Sequence, residues 1–375
     1  MKIGIDTRSL LLPITGIGRY TQQIIKHLHK VKKSTDEIIY FWGAGYEETD
    51  YMIDDIGKSE HTHNLGLRGT QTLWEQFILP RRISKHNLDV FHSPRNYNLP
   101  FLSFNREVSL IVTMHDTLPF LFPEQYPYSR LVKWRWHLAT RKADKIITVS
   151  KNSKKDLLKT FKNLKDDDII VNYCGLDEKF FFNNIDRERL DEVKNKYDLN
   201  KPYILTTGGT EPIKNSKMLF EVMKYLTDMN VELAIVGAKW PGEEIPKGKP
   251  DNVKFTGYVE EKDFPVLMNG AEIFVFPSLY EGFGLPPLEA MGAGTMVIAS
   301  NKASVPEVIG DAGILLEPKD IDGWVEAIKS ALADEKKKKK YVNKGLERVN
   351  KFSWTKTAEE LYSIYEKEVW KKNNK

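Results

Sequence analysis

One cysteine in 375 residues leaves no internal disulfide, and Cys174 stands in no metal-ligand spacing, so the chain fits a reducing cytoplasm. No apolar run approaches the roughly 20 residues that cross a bilayer. The opening Met1-Lys2-Ile3-Gly4-Ile5-Asp6 reads as a short strand ending in an acid and lacks the apolar region of a signal peptide, so export is not expected. No repeat of short period is visible. No helix-turn-helix, zinc or aromatic ribonucleoprotein pattern accompanies the basic residues, which argues against nucleic acid. The eight histidines, His27 to His137, all lie in the first half. Among them His61-Thr62-His63 has no carboxylate cluster to complete a metal site and reads as a polar loop.

What is present points to two α/β domains. The apolar and charged fractions, 41% and 29%, are those of a soluble globular protein, and the length exceeds one ordinary core. Strand candidates alternate with helical stretches, as in doubly wound parallel sheets. In the first half they are Lys2 to Ile5, Glu37 to Trp42, Val90 to His92, Leu110 to Met114 and Lys145 to Val149. In the second half they are Tyr203 to Thr207, Glu232 to Val236, Val253 to Phe255, Ile273 to Phe276 and Met296 to Ala299. Each half reads as a Rossmann-like unit. A polar, weakly patterned stretch from Gly175 to Pro202 reads as the join, and the Lys336 to Lys340 run as a solvated helix end or loop. Charge is unevenly placed: residues 1–175 hold 26 Lys plus Arg against 19 Asp plus Glu, and residues 176–375 hold 30 against 33.

The most informative segment is EGFGLPPLEAMGAG at 281–294, where two carboxylates bracket a glycine-rich turn that opens a helix. The preceding Glu272 to Ser278 reads as a buried strand, and Pro286-Pro287 suits a first helical turn, where a missing N–H costs nothing. Glu281 then lies in the loop and Glu289 in the helix. Between them Phe283, Gly284 and Leu285 offer backbone N–H groups at a helix N-terminus, which favours a diphosphate. A second glycine turn, Gly208-Gly209-Thr210-Glu211-Pro212-Ile213-Lys214-Asn215, ends a strand and delivers Lys214. A third, Thr15-Gly16-Ile17-Gly18-Arg19, leads into a helix; it lacks the three-glycine dinucleotide fingerprint, and no acid ends a second strand, so a nicotinamide site is not expected. His115 ends a strand, at the edge from which doubly wound sheets present ligands; the alternative is a structural histidine paired with Asp116.

These segments resemble, in order, those of the retaining family-4 glycosyltransferases of the GT-B fold, whose E-x7-E signature matches Glu281 and Glu289. TGIGRYTQQI (15–24), FHSPRNYNLP (91–100), VTMHDTLPFLFPE (112–124), ITVSKNSKKDL (147–157), VNYCGLDEKFF (171–181), TGGTEPIKN (207–215) and IASNKASVPEVIGDAGILLEP (298–318) extend the resemblance over essentially the whole chain. It implies two Rossmann-like domains facing across a cleft: residues 1–175 on the acceptor side, 176–354 holding the nucleotide sugar, and a C-terminal helix, 355–375, returning to the first domain. It further implies that Lys214 meets the donor phosphates, that Glu289 accepts hydrogen bonds from the ribose hydroxyls, and that Glu281 contacts the transferred sugar. Gly16 is similar to the family glycine that approaches the phosphates, and His115 to the family histidine beside the reacting sugar. The catalytic set is thus His115, Glu281 and Lys214, and the donor-binding set Gly16, Lys214, Glu281, Phe283, Gly284, Leu285 and Glu289.

The resemblance implies a same-face displacement in which the departing phosphate helps deprotonate the acceptor hydroxyl, with no catalytic metal and no cofactor beyond the nucleotide sugar. Catalysis by two flanking carboxyls, as in glycosidases, fits poorly because Glu281 and Glu289 lie to one side of a single turn and no hydrolase acid is identifiable. The family commonly has Pro-Arg-Lys-Asn where this chain has Pro-Ile-Lys-Asn, so Ile213 removes a cation that Arg19 or Lys217 would have to replace. The implied activity is hexose transfer, mannose from GDP-mannose first, onto a growing glycan or lipid-linked acceptor of a surface polysaccharide. Glucosyl or N-acetylhexosaminyl transfer from a uridine-linked donor, and a catalytically silent sugar-nucleotide-binding subunit, remain alternatives. Base recognition is placed near Gly257-Tyr258-Val259, which carry no readable code. Two stretches mix bases with aromatics, Tyr128 to Leu138 and Thr72 to Lys85. Each reads first as a core-packing helix with a solvated basic face, with contact to an anionic membrane as the alternative, so a cytoplasmic protein is expected and peripheral contact at the inner membrane face stays open.

Overall fold

The structure, a computed structural model, describes residues 1–10, 15–44, 58–62, 74–100, 107–127, 130–181, 185–238 and 248–374. The chain divides into two compact units, Met1–Gly175 with Trp354–Lys375, and Leu176–Ser353. In the first, β1 (Lys2–Asp6), β2 (Glu37–Ala44), β3 (Lys58–Thr62), β4 (Val90–Ser93), β5 (Ser109–Thr113), β6 (Lys145–Thr148) and β7 (Ile169–Val171) form a seven-stranded sheet in the order β3-β2-β1-β4-β5-β6-β7. In the second, β8 (Tyr203–Thr207), β9 (Glu232–Val236), β10 (Val253–Gly257), β11 (Ile273–Phe276), β12 (Val297–Ser300) and β13 (Ile314–Leu316) form a six-stranded sheet in the order β10-β9-β8-β11-β12-β13.

Every pairing in both sheets is parallel. Parallel strands need a crossover between them, and crossover helices cover both faces of the sheet. That is why β4, β5, β9, β11 and β12 are buried from end to end and are mostly apolar. In each sheet the strand order reverses once, between β1 and β4 and between β8 and β11. The connections leaving a reversal point diverge to opposite faces, so a crevice opens at the carboxyl ends of the two strands.

The strands missing from the sequence reading, β3, β7 and β13, are all sheet edges. β3 reads KSEHT and has no apolar pattern, while β7 and β13 are three residues long and only partly covered. An edge strand packs against fewer neighbours, so its sequence carries a weaker signal. His61 and Thr62 accordingly belong to β3 and not to a loop; His63 lies outside the described residues. The polar stretch after Gly175 is part of the second unit: it forms the helix Arg187–Lys196, capped by Asp186, and buries Phe180, Val193 and Leu199. The lysine run opens the helix Glu335–Val349, with Lys338 turned onto Glu272 at 2.6 Å.

The last helix, Trp354–Asn373, returns to the first unit and packs along the helix Gly16–Val31. Its Ala358, Leu361, Tyr362 and Tyr365 recur at helical spacing and are buried. Polar ties surround this stripe: Thr357 Oγ1 donates to the Tyr173 carbonyl at 2.6 Å, the Tyr362 hydroxyl meets Asp36, and Lys372 pairs with Asp144 at 2.9 Å. Leu361 has no exposed surface, so Leu361→Ala leaves a cavity costing about 2–5 kcal/mol. Hydrogen exchange resolved by peptide should show faster exchange throughout residues 1–175 and in the last helix, with residues 203–300 unchanged.

Candidate functional site

The reversal point of the second sheet assembles most of the singled-out residues. β8 runs into Gly208 and Gly209, at φ +107° and +56°, and both N–H groups donate to the Val236 carbonyl, at 2.9 and 3.1 Å. At both positions an added side chain would force a neighbour to move. A Cβ on Gly209 would lie 2.0 Å from the Ala238 carbonyl oxygen, and one on Gly208 would lie 2.3 Å from Cγ of Lys214. The tight turn therefore folds the aliphatic stem of Lys214 back over Gly208 and aims its ammonium at the neighbouring strand end.

That neighbour is β11, whose chain continues through Pro277 and Ser278 to Glu281. Lys214 Nζ donates to Glu281 Oε1 at 2.8 Å, and the Ser278 hydroxyl donates to the same oxygen at 2.7 Å. The lysine side chain is 20% exposed and the glutamate 12%, so the pair borders solvent while being largely shielded from it. The two turns are also stitched through their backbones. Leu279 N–H donates to the Ile213 carbonyl at 2.8 Å, and Asn215, in the left-handed conformation, donates from Nδ2 to the carbonyls of Pro277 (3.3 Å) and Pro318 (2.9 Å). Ile213 itself is 1% exposed. The departure from the family arginine thus fills an interior position, and its carbonyl serves the stitching. Lys217 is exposed on the first turn of the helix Ser216–Lys224, and Arg19 lies in the other unit.

The segment after Glu281 is held by a residue the sequence reading passed over. Ser304 occupies the N-cap position of the short helix Val305–Ile309 yet does not cap it. Its hydroxyl, with one proton to give, lies 2.9 Å from the Glu281 carbonyl and 2.7 Å from that of Phe283, so the two carbonyls share this donor. Phe283 anchors the loop through an edge contact with Phe352, centroids 5.8 Å apart. Gly284 then takes φ +104° as N-cap of the helix Leu285–Gly292, where Pro286 and Pro287 lack N–H groups. Glu289 is on that helix and 5% exposed. A serine before a proline-started helix reads as an ordinary cap, and only the fold brings it to this loop. Farther along the sheet, Gly257 ends β10 at φ +70° and Tyr258 is exposed.

In the first unit, Thr15 caps the helix Gly16–Val31, accepting from the Gly18 N–H at 3.4 Å. A Cβ on Gly16 would meet nothing within 4 Å, so packing among the described residues makes no demand for glycine there. His115 follows β5. Its backbone N–H donates to Asn96 Oδ1 at 2.9 Å, and its Nε2 lies 2.9 Å from the Pro94 carbonyl. A carbonyl only accepts, so Nε2 carries the proton and Nδ1 is the acceptor of the neutral ring. Burial pushes the imidazole down to about 4, which keeps it neutral at pH 7. The anticipated alternative, a pair with Asp116, is not formed: Asp116 Oδ1 accepts from the Leu118 N–H at 3.0 Å.

The two basic, aromatic stretches divide between interior and surface. On the helix Arg130–Lys142, Arg135 and Trp136 are buried, whereas Leu131 and Trp134 are 58% and 53% exposed. Arg135 pairs with Glu75, which also binds Arg8 at 2.6 Å, so a buried ion network ties this helix to the segment Trp74–Ile78. Arg81 and Lys85 are exposed on the following helix, Leu79–His86. Thr72, Leu73, Tyr128 and Ser129 lie outside the described residues. Among the described residues no helix is long and apolar enough to cross a membrane, and no group of three or more His, Cys, Asp or Glu is arranged to hold a metal ion.

Comparison with known proteins agrees with this architecture. Residues 186–348 match the model described as "Glycosyl transferases group 1", and residues 14–180 the model "Glycosyltransferase Family 4". The O-antigen chain mannosyltransferase B of Escherichia coli is 31% identical over 97% of this chain and 99% of its own length. Among solved structures, the sucrose-phosphate synthase of Thermosynechococcus elongatus superposes with a TM-score of 0.78 at 18% identity, over 98% of each chain. Anabaena Alr3699/HepE, solved in complex with UDP and glucose, superposes with a TM-score of 0.76 at 18% identity, over 97% of this chain and 99% of its own. At that identity the two structures speak for the fold, a two-domain Rossmann-like GT-B architecture.

Because a Cβ on Gly208 would displace the stem of Lys214, Gly208→Ala should separate the ammonium from Glu281. The φ of +107° adds strain of about 1–2 kcal/mol. Binding of nucleoside diphosphates, followed by calorimetry, should weaken more than the modest loss of melting temperature explains. Unchanged affinity would show that Lys214 does not depend on this turn.

Proposed function

We propose, for a chain that belongs to the glycosyl transferases of group 1 and family 4, that it moves a hexose from a nucleotide diphosphate sugar onto a growing glycan or lipid-linked acceptor of a surface polysaccharide. The observation that carries this reading is the Lys214–Glu281 pair, 2.8 Å apart, at the strand reversal of the second sheet beside a glycine-opened helix start. The donor is GDP-mannose; the name of the Escherichia coli relative, an O-antigen chain mannosyltransferase, supports both the sugar and the setting.

In this reading the bond between the anomeric carbon and the diphosphate oxygen breaks while the acceptor oxygen attacks from the same face. The acceptor proton passes to the departing phosphate, so configuration is retained and no protein base is required. Lys214 and the N–H groups at Phe283, Gly284 and Leu285 offset the charge growing on the diphosphate, which makes a divalent cation dispensable. Glu281 holds hydroxyls of the sugar and Glu289 those of the ribose. Each carboxylate accepts hydrogen bonds, and neither forms a covalent bond. By resemblance to the family, Gly16 and His115 of the first unit are assigned to the same reaction, the histidine in its neutral form.

A thermal-shift panel of nucleoside diphosphates and their sugars tests the donor. GDP and GDP-mannose should raise the melting temperature, since a ligand that binds only the native state stabilises it in proportion to affinity. A preference for uridine nucleotides would replace the mannose reading. Glu281→Ala should keep its fold and lose turnover by about a hundredfold or more, as when a group serving the transition state is removed. Wild-type protein that binds a donor yet transfers nothing would make this a silent binding subunit.

The lipid-linked acceptor gives the exposed face of Arg130–Lys142 a role at an anionic bilayer. That helix contains no acid, and its exposed Leu131 and Trp134 are accompanied by Arg130, Lys133, Arg141 and Lys142. Apolar insertion and charge attraction add at such a surface. Flotation with phosphatidylglycerol vesicles at low salt should carry the protein upward, weaken as salt rises, and fail for the double variant Leu131→Ala, Trp134→Ala. Absence of binding at low salt would sink the membrane assignment alone.

A further inference from the structure

Near His115 the first unit contains a buried chain of uncharged, hydrogen-bonded side chains. His92, in the middle of the sheet on β4, has no exposed surface, and both ring nitrogens meet hydroxyls. Nδ1 lies 2.6 Å from the Tyr365 hydroxyl of the last helix, and Nε2 lies 2.8 Å from Thr113 Oγ1 at the end of β5. Thr113 Oγ1 in turn lies 3.4 Å from the Tyr20 hydroxyl. The Tyr20 ring stands edge-on to the His115 imidazole, centroids 4.9 Å apart with planes at 86°. On another side Tyr20 meets Trp354 at 5.9 Å, so the last helix reaches it both through a ring contact and through the hydrogen-bond chain.

Every member of the chain is buried, with Tyr20 the most exposed at 1%, so none turns to bulk water for a partner. Burial lowers the His92 imidazole to about 3 and raises both phenols, so the whole chain is neutral near pH 7. A neutral imidazole has one donor and one acceptor, which gives the chain a direction: one flanking hydroxyl donates to His92 and the other accepts from it. A hydroxyl removed from it leaves a buried ring nitrogen unsatisfied, and that asymmetry makes the geometry specific.

We propose that Tyr365, acting through His92 and Thr113, is a positioning residue that sets the place of Tyr20 and thereby the orientation of the His115 ring for transfer. It rests on the reading that His115 takes part in the reaction, and the experiment separates the two. His115→Ala, Tyr365→Phe and their combination are assayed in the full chain with GDP-mannose, following GDP release with acceptor-bearing membranes and, separately, donor hydrolysis without them. Calorimetric binding of GDP serves as the common reference.

If the inference holds, Tyr365→Phe lowers kcat by about tenfold or more, since small misplacements of a reacting group are costly, while donor KM stays within about twofold. The same substitution then adds little in the His115→Ala background, because both act on one element. Thr113→Val should reproduce the loss and Thr113→Ser should retain activity, a comparison that stands even if Tyr365→Phe folds poorly. An unchanged kcat in Tyr365→Phe and Thr113→Val, or losses that multiply with His115→Ala, overturns the positioning role. An active His115→Ala overturns instead the reading on which it rests.

Discussion

Parallel pairing between β8 and β11 is the constraint on which the second unit's chemistry depends. The two strands are neighbours in space but far apart in sequence, with Phe274 beside Leu205, and their following segments leave in different directions. The opening between their carboxyl ends would have no fixed shape if the turns were independent. They are joined: Ile213 accepts from Leu279, Asn215 donates to Pro277 and Pro318, and the Ser304 hydroxyl is shared by the carbonyls of Glu281 and Phe283. Lys214 and Glu281 are therefore held by contacts that do not involve their own charges. A shielded ion pair alone is weak evidence of stability, because desolvation offsets attraction. Here it defines the position of a cation, and the backbone stitching supplies the rigidity.

The first unit is basic overall, yet the charges it buries around Arg8 are balanced. Its buried ions are mutually compensated, Asp6 with Arg8 and Glu75 with both Arg8 and Arg135. The Arg8 guanidinium holds the Asp6 carboxyl below its usual range even though burial opposes this. Around His92 and His115 burial works the other way and keeps both rings neutral. The last helix closes this interior, so residues near the end of the chain complete a unit begun at Met1. Long-range closure of this kind makes the first unit's stability depend on its most distant segment.

Much of the fold was legible because central strands of parallel sheets are buried on both faces and appear as apolar runs bounded by turn residues. The strands that escaped, Lys58–Thr62, Ile169–Val171 and Ile314–Leu316, sit at edges where burial imposes no such run. The residues with recognisable chemistry, Lys214, Glu281 and Glu289, stood out through spacing and glycine context. The residues that hold them did not. Asn215 and Ser304 look like a turn residue and a helix cap, and His92 and Tyr365 like ordinary members of a strand and a helix, because their partners are 62, 103, 23, 21 and 273 positions away.

By itself the sequence determined the alternating elements, the glycine turns that only a missing side chain permits, and a family signature that ties two glutamates to one loop and helix. Those are local properties, written in periodicity and in residues with special backbone freedom. Only the tertiary structure decided that Lys214 lies 2.8 Å from Glu281, that Ile213 faces the interior, and that His115 bonds to the Pro94 carbonyl instead of Asp116. Each of these depends on which distant segments share a sheet edge. Sheet order is set by the burial of whole strands and their crossovers, and so cannot be read from any short stretch of the chain.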